Sequence, residues 1–268
     1  MIYREFETHA SLAPYVQLVW MMESEHEGDH APKSLIVPDG IVEIVLHYGD
    51  PWITTVAGGK SMVQPRSFAI SQMRKYIEIE SNGRTGFVSV RFYPWGAYHF
   101  FDRPVSGFLD DTVSTRTLWP MHYEDLMEKL RKTPGGADFA RVVQEFLLDR
   151  LKEHRRDDGA LDEAVKLIRS GGGQLSIEEV GERVGLSRKQ LERKFASTVG
   201  TTPKTFARIS RFLNICHHLD RYRGKTLTHL AHECGYFDQA HFIREFNAFT
   251  GFTPKAFFEK NNVKFAEL

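Results

Sequence analysis

Apolar positions along the chain fall into two regimes. Up to about Arg91 they occur in short β-branched and aromatic stretches, residues 15–22, 41–48 and 86–93. Turn-forming clusters separate them: Pro38-Asp39-Gly40, Gly49-Asp50-Pro51, Gly58-Gly59 and Ser81-Asn82-Gly83. Short strands at such spacing predict a sandwich or small barrel. After Pro94 the period lengthens to that of a helix. Residues 123–132 and 138–154 both show it, the second with Phe139, Val142, Val143, Phe146, Leu147 and Leu151 apolar and Asp138 placed to cap it. That amphipathic helix has two uses open to it, packing on its own sheet or pairing with its copy in a dimer. A polar stretch over residues 152–159 marks a domain boundary, and the next helix, residues 161–170, stops at Gly171-Gly172-Gly173.

Beyond that point one pattern occurs twice, in residues 176–206 and 226–257. Setting Gly185 over Gly235 aligns Val180 with Leu230, Gly181 with Ala231 and Val184 with Cys234. One extra residue in the second turn then brings Leu191 onto Phe242, Arg193 onto Arg244 and Phe195 onto Phe246. The register continues through Gly200 and Gly251, Pro203 and Pro254, Phe206 and Phe257. Such a repeat is one supersecondary unit used twice, and a helix pair joined by a tight glycine turn is how a helix is presented to the DNA major groove. Pro203 suits the first turn of a continuous helix, about 203–222, that fixes the spacing of the two units.

Helical phase sorts the residues of each unit. Ile177, Val180, Val184, Leu191 and Phe195 face inward in the first, and Leu227, Leu230, Cys234, Phe242 and Phe246 in the second. Ser187 and Asp238 are placed to cap the second helix of each unit. Arg188, Lys189, Glu192, Arg193 and Ser197 are left outward in one helix, and Gln239, His241, Ile243 and Arg244 in the other. Arginine suits guanine edges, glutamine suits adenine, and lysine more often serves phosphates. The outer residues of a helix pair are ordinarily solvated; their recurrence at matched positions of two repeats points to DNA.

At this level of detail residues 175–257 resemble the DNA-binding domain of the AraC/XylS transcriptional regulators. Gly235, Asp238, Phe242, Arg244, Phe246, Gly251 and Pro254 stand where that family's signature has them. The resemblance implies two recognition helices entering successive major grooves, with Lys189, Glu192 and Arg193, then Gln239, His241 and Arg244, reading bases. Ser187, Arg188, Lys194, Thr202, Asp238 and Thr253 are the matching phosphate candidates. One departure is Asn247-Ala248, where the family usually carries basic residues, so the first unit is expected to dominate affinity.

Composition refines this picture. The net charge is zero, but residues 1–159 hold 18 Lys and Arg against 23 Asp and Glu, whereas residues 160–268 hold 17 against 12. The C-terminal half is thus +5 and the N-terminal half −5, an asymmetry that fits a nucleic-acid partner for the basic half. No apolar run approaches the ~20 residues of a membrane helix, and the N-terminus lacks the apolar core of a signal peptide. Cys216 and Cys234 are the two cysteines and have no metal-type pairing, which favours a reducing, cytoplasmic setting with both thiols buried. Nucleophile-elbow, P-loop, dinucleotide and zinc motifs are absent, which weighs against an enzyme. His26, His30 and His47 with Glu43 match no metal spacing.

The sequence therefore predicts an α+β two-domain protein without a cofactor. Residues 1–158 form a β-rich, sensor-like sandwich or barrel that ends in helices. Residues 159–268 form an all-α domain with helix-turn-helix units at about 176–200 and 226–251. The N-terminal half resembles, more loosely, the β-rich sensor halves of AraC-type regulators, chiefly in the Pro38-Asp39-Gly40 turn before an apolar strand. That likeness implies effector binding, dimerisation or both, with Trp20, Trp52, Phe92 and Trp95 as pocket candidates. Double-stranded DNA is the expected partner, with RNA polymerase, a small-molecule effector and a second copy of the chain beside it.

Overall fold

A computed structural model describes residues 1–26, 28–70, 72–105, 110, 112–154, 158–217 and 225–259. Residues 218–222, the end of the expected linker helix, lie outside the described residues. The N-terminal half is built on two antiparallel sheets. The larger has the order β1 (Ile2–Phe6), β2 (Val16–Glu23), β9 (Gly86–Phe92), β4 (Glu43–His47), β7 (Ser67–Ile70) and β10 (Thr112–Ser114). The smaller has the order β3 (Ser34–Ile36), β8 (Ile77–Glu80), β5 (Ile53–Val56) and β6 (Ser61–Val63).

Strand register decides which side chains share a face. Val19, Val90, Ile44, Ala69 and Val113 form one row across the larger sheet. This row belongs to a core closed by α2 (Tyr123–Arg131) and α3 (Ala137–His154), which follow the short α1 (Thr115–Leu118). The neighbouring row, Trp20, Ser89, Val45 and Phe68, points the other way. There Val45, Phe68 and Phe87 meet Trp52 and Ile79 of the smaller sheet's side. Both faces of the larger sheet are therefore covered, as its nearly continuous apolar strands require.

Two expectations change on contact with the structure. Asp138 is not the cap of α3: the Ala140 amide already bonds the Gly136 carbonyl, so the helix starts one residue earlier and Asp138 pairs with Arg141 inside its first turn. The apolar stripe of α3 is consumed within the chain. Phe139, Ala140, Val143, Leu147 and Leu151 are buried in the first core, while Arg141, Glu145, Asp149 and Lys152 form ion pairs on the outer side. A dimer cannot use that stripe without unpacking the core.

The C-terminal half contains α4 (Gly159–Ser170), α5 (Ile177–Val184), α6 (Arg188–Lys194), α7 (Pro203–His217), α8 (Leu227–Glu233), α9 (Gln239–Thr250) and α10 (Pro254–Glu259). Helix α7 serves two cores at once. Phe206 and Ala207 pack with α4, α5 and α6, whereas Ile209, Phe212, Leu213, Ile215 and Cys216 pack with α8, α9 and α10. The β-rich half touches this frame at several points. Leu35 and Val37 join the core of the second unit. Gly40 lies so close to α7 that an added Cβ would sit 3.0 Å from Phe206 Cε2. No helix among the described residues is long and apolar enough to cross a membrane.

Candidate nucleic-acid interface

Each unit is closed by the same local chemistry. In the first, the Ser176 hydroxyl accepts the Glu179 amide at 3.1 Å and the Glu179 carboxylate accepts the Ser176 amide at 2.9 Å. This capping box satisfies two helix-end donors that would otherwise be unpaired. Gly185 then takes φ +69°, a left-handed conformation costly for any residue with a Cβ, and the Leu186 amide closes onto the Gly181 carbonyl at 2.9 Å. A second capping box, Ser187 with Gln190, opens α6. In the other unit Thr226 caps α8, Gly235 has φ +75°, and the Tyr236 amide closes onto the Ala231 carbonyl, again at 2.9 Å. Asp238 caps α9 by accepting the His241 amide at 2.6 Å.

The inward set is buried as its phase requires. Val180, Leu191 and Phe195 have no exposed surface in the first unit, nor do Cys234, Phe242 and Phe246 in the second. Both cysteines are thus core residues, and burial pushes the Cys216 thiol well up from its ordinary range. Ile177, Val184 and Leu227 are half-buried against the same cores.

The outward set is less uniform. Lys189, Arg193 and Arg244 are exposed and have no ion-pair partner among the described residues. Arg188 is also exposed, but bridges Glu178 at 2.8 Å and Glu192 at 3.0 Å. Those pairs hold Glu192 by its carboxylate and raise the Arg188 pKa, the Glu192 hydrogen bond chief among the causes. Lys194 is held in an ion pair with Asp158. In α9, Gln239 accepts the Thr228 hydroxyl at 2.7 Å, which braces the start of this helix against α8. His241 is half-buried, its ring 5.3 Å from that of Tyr236. Ile243, expected to face outward, packs against the core of the second unit. Ser197 stays exposed, its hydroxyl donating to the Lys194 carbonyl.

Four of the phosphate candidates are helix caps. Besides Ser187 and Asp238, Thr202 accepts the Thr205 amide before α7, and Thr253 accepts the Ala256 amide before α10. Their side chains are spent on the backbone. What these helix ends offer an anion is the remaining free amides.

The four aromatic pocket candidates do not line one site: two share a cluster and the other two lie elsewhere. Trp20 and Trp52 both meet Phe87, with centroids 5.1 and 5.6 Å away. Phe92 lies on the other face of the sheet, in the first core. Trp95 stacks on Tyr93 and packs against the first helix-turn-helix core, with Lys166 5.3 Å above its ring. A polar cleft of about 330 Å³ lies elsewhere, lined by Glu23, Tyr48, Arg84, Thr85, Gly135 and Gly136 among others. Glu43 is engaged with Trp20, Ser89 and Arg91, and His47 with Gln64. Among the described residues no three His, Cys, Asp or Glu side chains are grouped to hold a metal ion.

Sequence reasoning missed three features. The capping boxes were legible as Ser-x-x-Glu and Ser-x-x-Gln. Phe237, 85% exposed beside the Asp238 cap, is the extra residue of the second turn. A charge chain between the halves had no local signal: Arg91 binds Asp39 at 2.6 Å and Glu43 at 3.4 Å, and the charge of Arg169 in α4 is felt by Asp39 and Tyr93. Burial opposes the Arg91 charge, but Glu43 and Asp39 outweigh it and raise its pKa. For Arg169 burial wins, and its pKa is lowered.

A family described as a helix-turn-helix domain matches residues 180–260, the two units almost whole. The C-terminal part of the chain is an AraC-type helix-turn-helix domain. A second match, described as a domain of unknown function (DUF6597), covers residues 4–114 of the β-rich half. The HTH-type transcriptional activator RhaS of Escherichia fergusonii is 24% identical over 142 residues, which cover 48% of this chain and 51% of RhaS. The HTH-type transcriptional regulator ArgR of Pseudomonas aeruginosa is 26% identical over 145 residues, covering 49% of this chain and 44% of ArgR. The chain thus spans about half the length of each relative. Among solved structures, ToxT from Vibrio cholerae covers 90% of this chain and 95% of its own at 10% identity and a TM-score of 0.43.

Proposed function

We propose that the protein is a sequence-specific DNA-binding transcriptional regulator, a binding protein rather than an enzyme. Residues 159–268 bind the operator and residues 1–158 control that binding. One observation carries this: two AraC-type units, fixed to one another by α7, each present exposed cations without an ion-pair partner among the described residues on the second helix, Lys189 and Arg193 on one and Arg244 on the other. Arg193 and Arg244 read base edges, with Gln239 and His241 beside Arg244 and Glu192 beside Arg193. Lys189 serves bases or phosphates at the same groove. The protein works in the cytoplasm on double-stranded DNA and acts through RNA polymerase.

Control by the β-rich half is supported by its contacts with α7 and with the second core through Val37 and Gly40. A small molecule that shifts those contacts, or a second copy docked on the β-rich half, alters how the two helices are held. With the α3 stripe buried, a second copy needs another surface.

Genome-wide DNA capture with the full-length protein, and with the Arg193→Ala/Arg244→Ala variant, tests the assignment. The expected result is a motif with two boxes about one helical turn apart, lost in the double variant. Each single variant is expected to lose ~1–3 kcal/mol of binding and relax the preference at one position. Capture unchanged by the double variant would contradict the assignment of both helices.

A further inference from the structure

The two turns are superimposable by their hydrogen bonds, and that isolates one residue. Leu186 and Tyr236 make the same closing bond, to the carbonyls of Gly181 and Ala231. Ser187 caps α6 directly after Leu186, but Asp238 caps α9 only after one further residue. The inserted residue is Phe237. Its neighbour Tyr236 behaves as core, 3% exposed and packed on the Phe242 ring, whereas Phe237 is 85% exposed. An insertion needed only to lengthen a turn would be expected to be small or polar.

We infer that Phe237 is a specificity-determining residue that packs against a thymine methyl group at the edge of the major groove. This rests on the assignment of α9 as a reading helix. The N-terminal residues of a recognition helix are those that meet base edges. Phe237 stands immediately before the cap of α9 and two residues before Gln239, whose side chain is braced by Thr228. The feature that thymine alone presents in that groove is its methyl group, and phenylalanine is among the side chains that meet it. The first unit has no counterpart, so a preference of this type belongs to the second box only.

The test is selection from a random-sequence duplex library, made once with thymine and once with uracil, using full-length wild type, Phe237→Ser and Phe237→Leu. The expected wild-type motif has one thymine in the second box enriched about three- to tenfold. That preference disappears in the uracil library and in Phe237→Ser, and is kept by Phe237→Leu, while the rest of the motif survives. Melting temperatures equal to wild type are expected, because the side chain is exposed. A thymine preference that persists in Phe237→Ser, or in the uracil library, overturns the inference. So does a uniform loss of both boxes in Phe237→Ser, or an unchanged motif with impaired transcription, which would make Phe237 a protein contact. If the wild type selects no motif at all, the DNA-reading assignment itself has failed, and this inference with it.

Discussion

At the scale of single residues, burial decides chemistry that sequence position leaves open. His47 is 7% exposed, and its Nε2 pairs with Gln64 Oε1 at 3.0 Å while Gln64 Nε2 donates to Thr54 Oγ1 at 2.9 Å. That chain makes Nε2–H the donor and leaves Nδ1 buried without a hydrogen-bond partner among the described residues. Burial pushes the His47 pKa from 6.5 down to about 4, with the Gln64 bond opposing and the Arg66 charge assisting. Above pH 6.5 both folded and unfolded chains carry a neutral ring and nothing is lost. As pH falls from 6.5 to about 4 the unfolded chain takes up a proton that the folded one refuses, so stability drops, then levels off. The total is about 3 kcal/mol. Urea denaturation of wild type and His47→Gln across this window is expected to show the steeper loss in wild type; parallel curves would contradict it. The outward residues were sorted less well. The resemblance offered Lys194 as a phosphate contact but held no information on Asp158, 36 residues away, which captures its ammonium group.

At the scale of elements, what was legible in the sequence is what is encoded locally. The strands at residues 15–22, 41–48 and 86–93 stand within two residues of β2, β4 and β9, because β-branched runs between turn clusters leave few alternatives. Both helix-turn-helix units were legible because glycine, cap and apolar phase recur together at matched positions. Sheet order was not, since β9 pairs with β2 and β4 from positions far along the chain. The destination of Trp95 was equally hidden, because its partners belong to the other half. The caps support a prediction of their own. Ser187→Ala removes the capping box of α6 and is expected to cost ~1 kcal/mol, lowering the melting temperature by roughly 2–4 °C for a chain of this size. Ser187→Asp restores the cap and the melting temperature, yet places a carboxylate where a phosphate would approach the helix end. Calorimetry and a salt titration of DNA binding separate the two effects. Equal DNA affinity in wild type and Ser187→Asp would remove Ser187 from the phosphate contacts.

At the scale of the molecule, α6 and α9 are joined through one shared frame. Helix α7 contributes to both cores, and its Arg208 holds Glu245 of α9 at 2.5 Å while Arg211 donates to the Gly173 carbonyl at 2.9 Å. The β-rich half braces the same frame at equivalent points of the repeat. Gly200, beyond α6, lies against Val105 and Gln72, and Gly251, directly after α9, lies against Tyr76. Gln72 also donates to the Gly40 carbonyl at 2.7 Å, and Arg74 between Gln72 and Tyr76 is fixed to Asp110. One short segment of the β-rich half therefore touches both units, and a change there bears on both helices together. A frame of this kind cannot follow boxes that turn apart on the duplex. The most direct test is the affinity of the full-length protein for its captured site with base pairs inserted between the boxes. The prediction is a fall, at half a helical turn (~5 bp), to the affinity of a site with one box scrambled, and partial recovery in neither the Arg193→Ala nor the Arg244→Ala variant. Affinity indifferent to the insertion would contradict the account, since it would mean that the two units do not read DNA as one body.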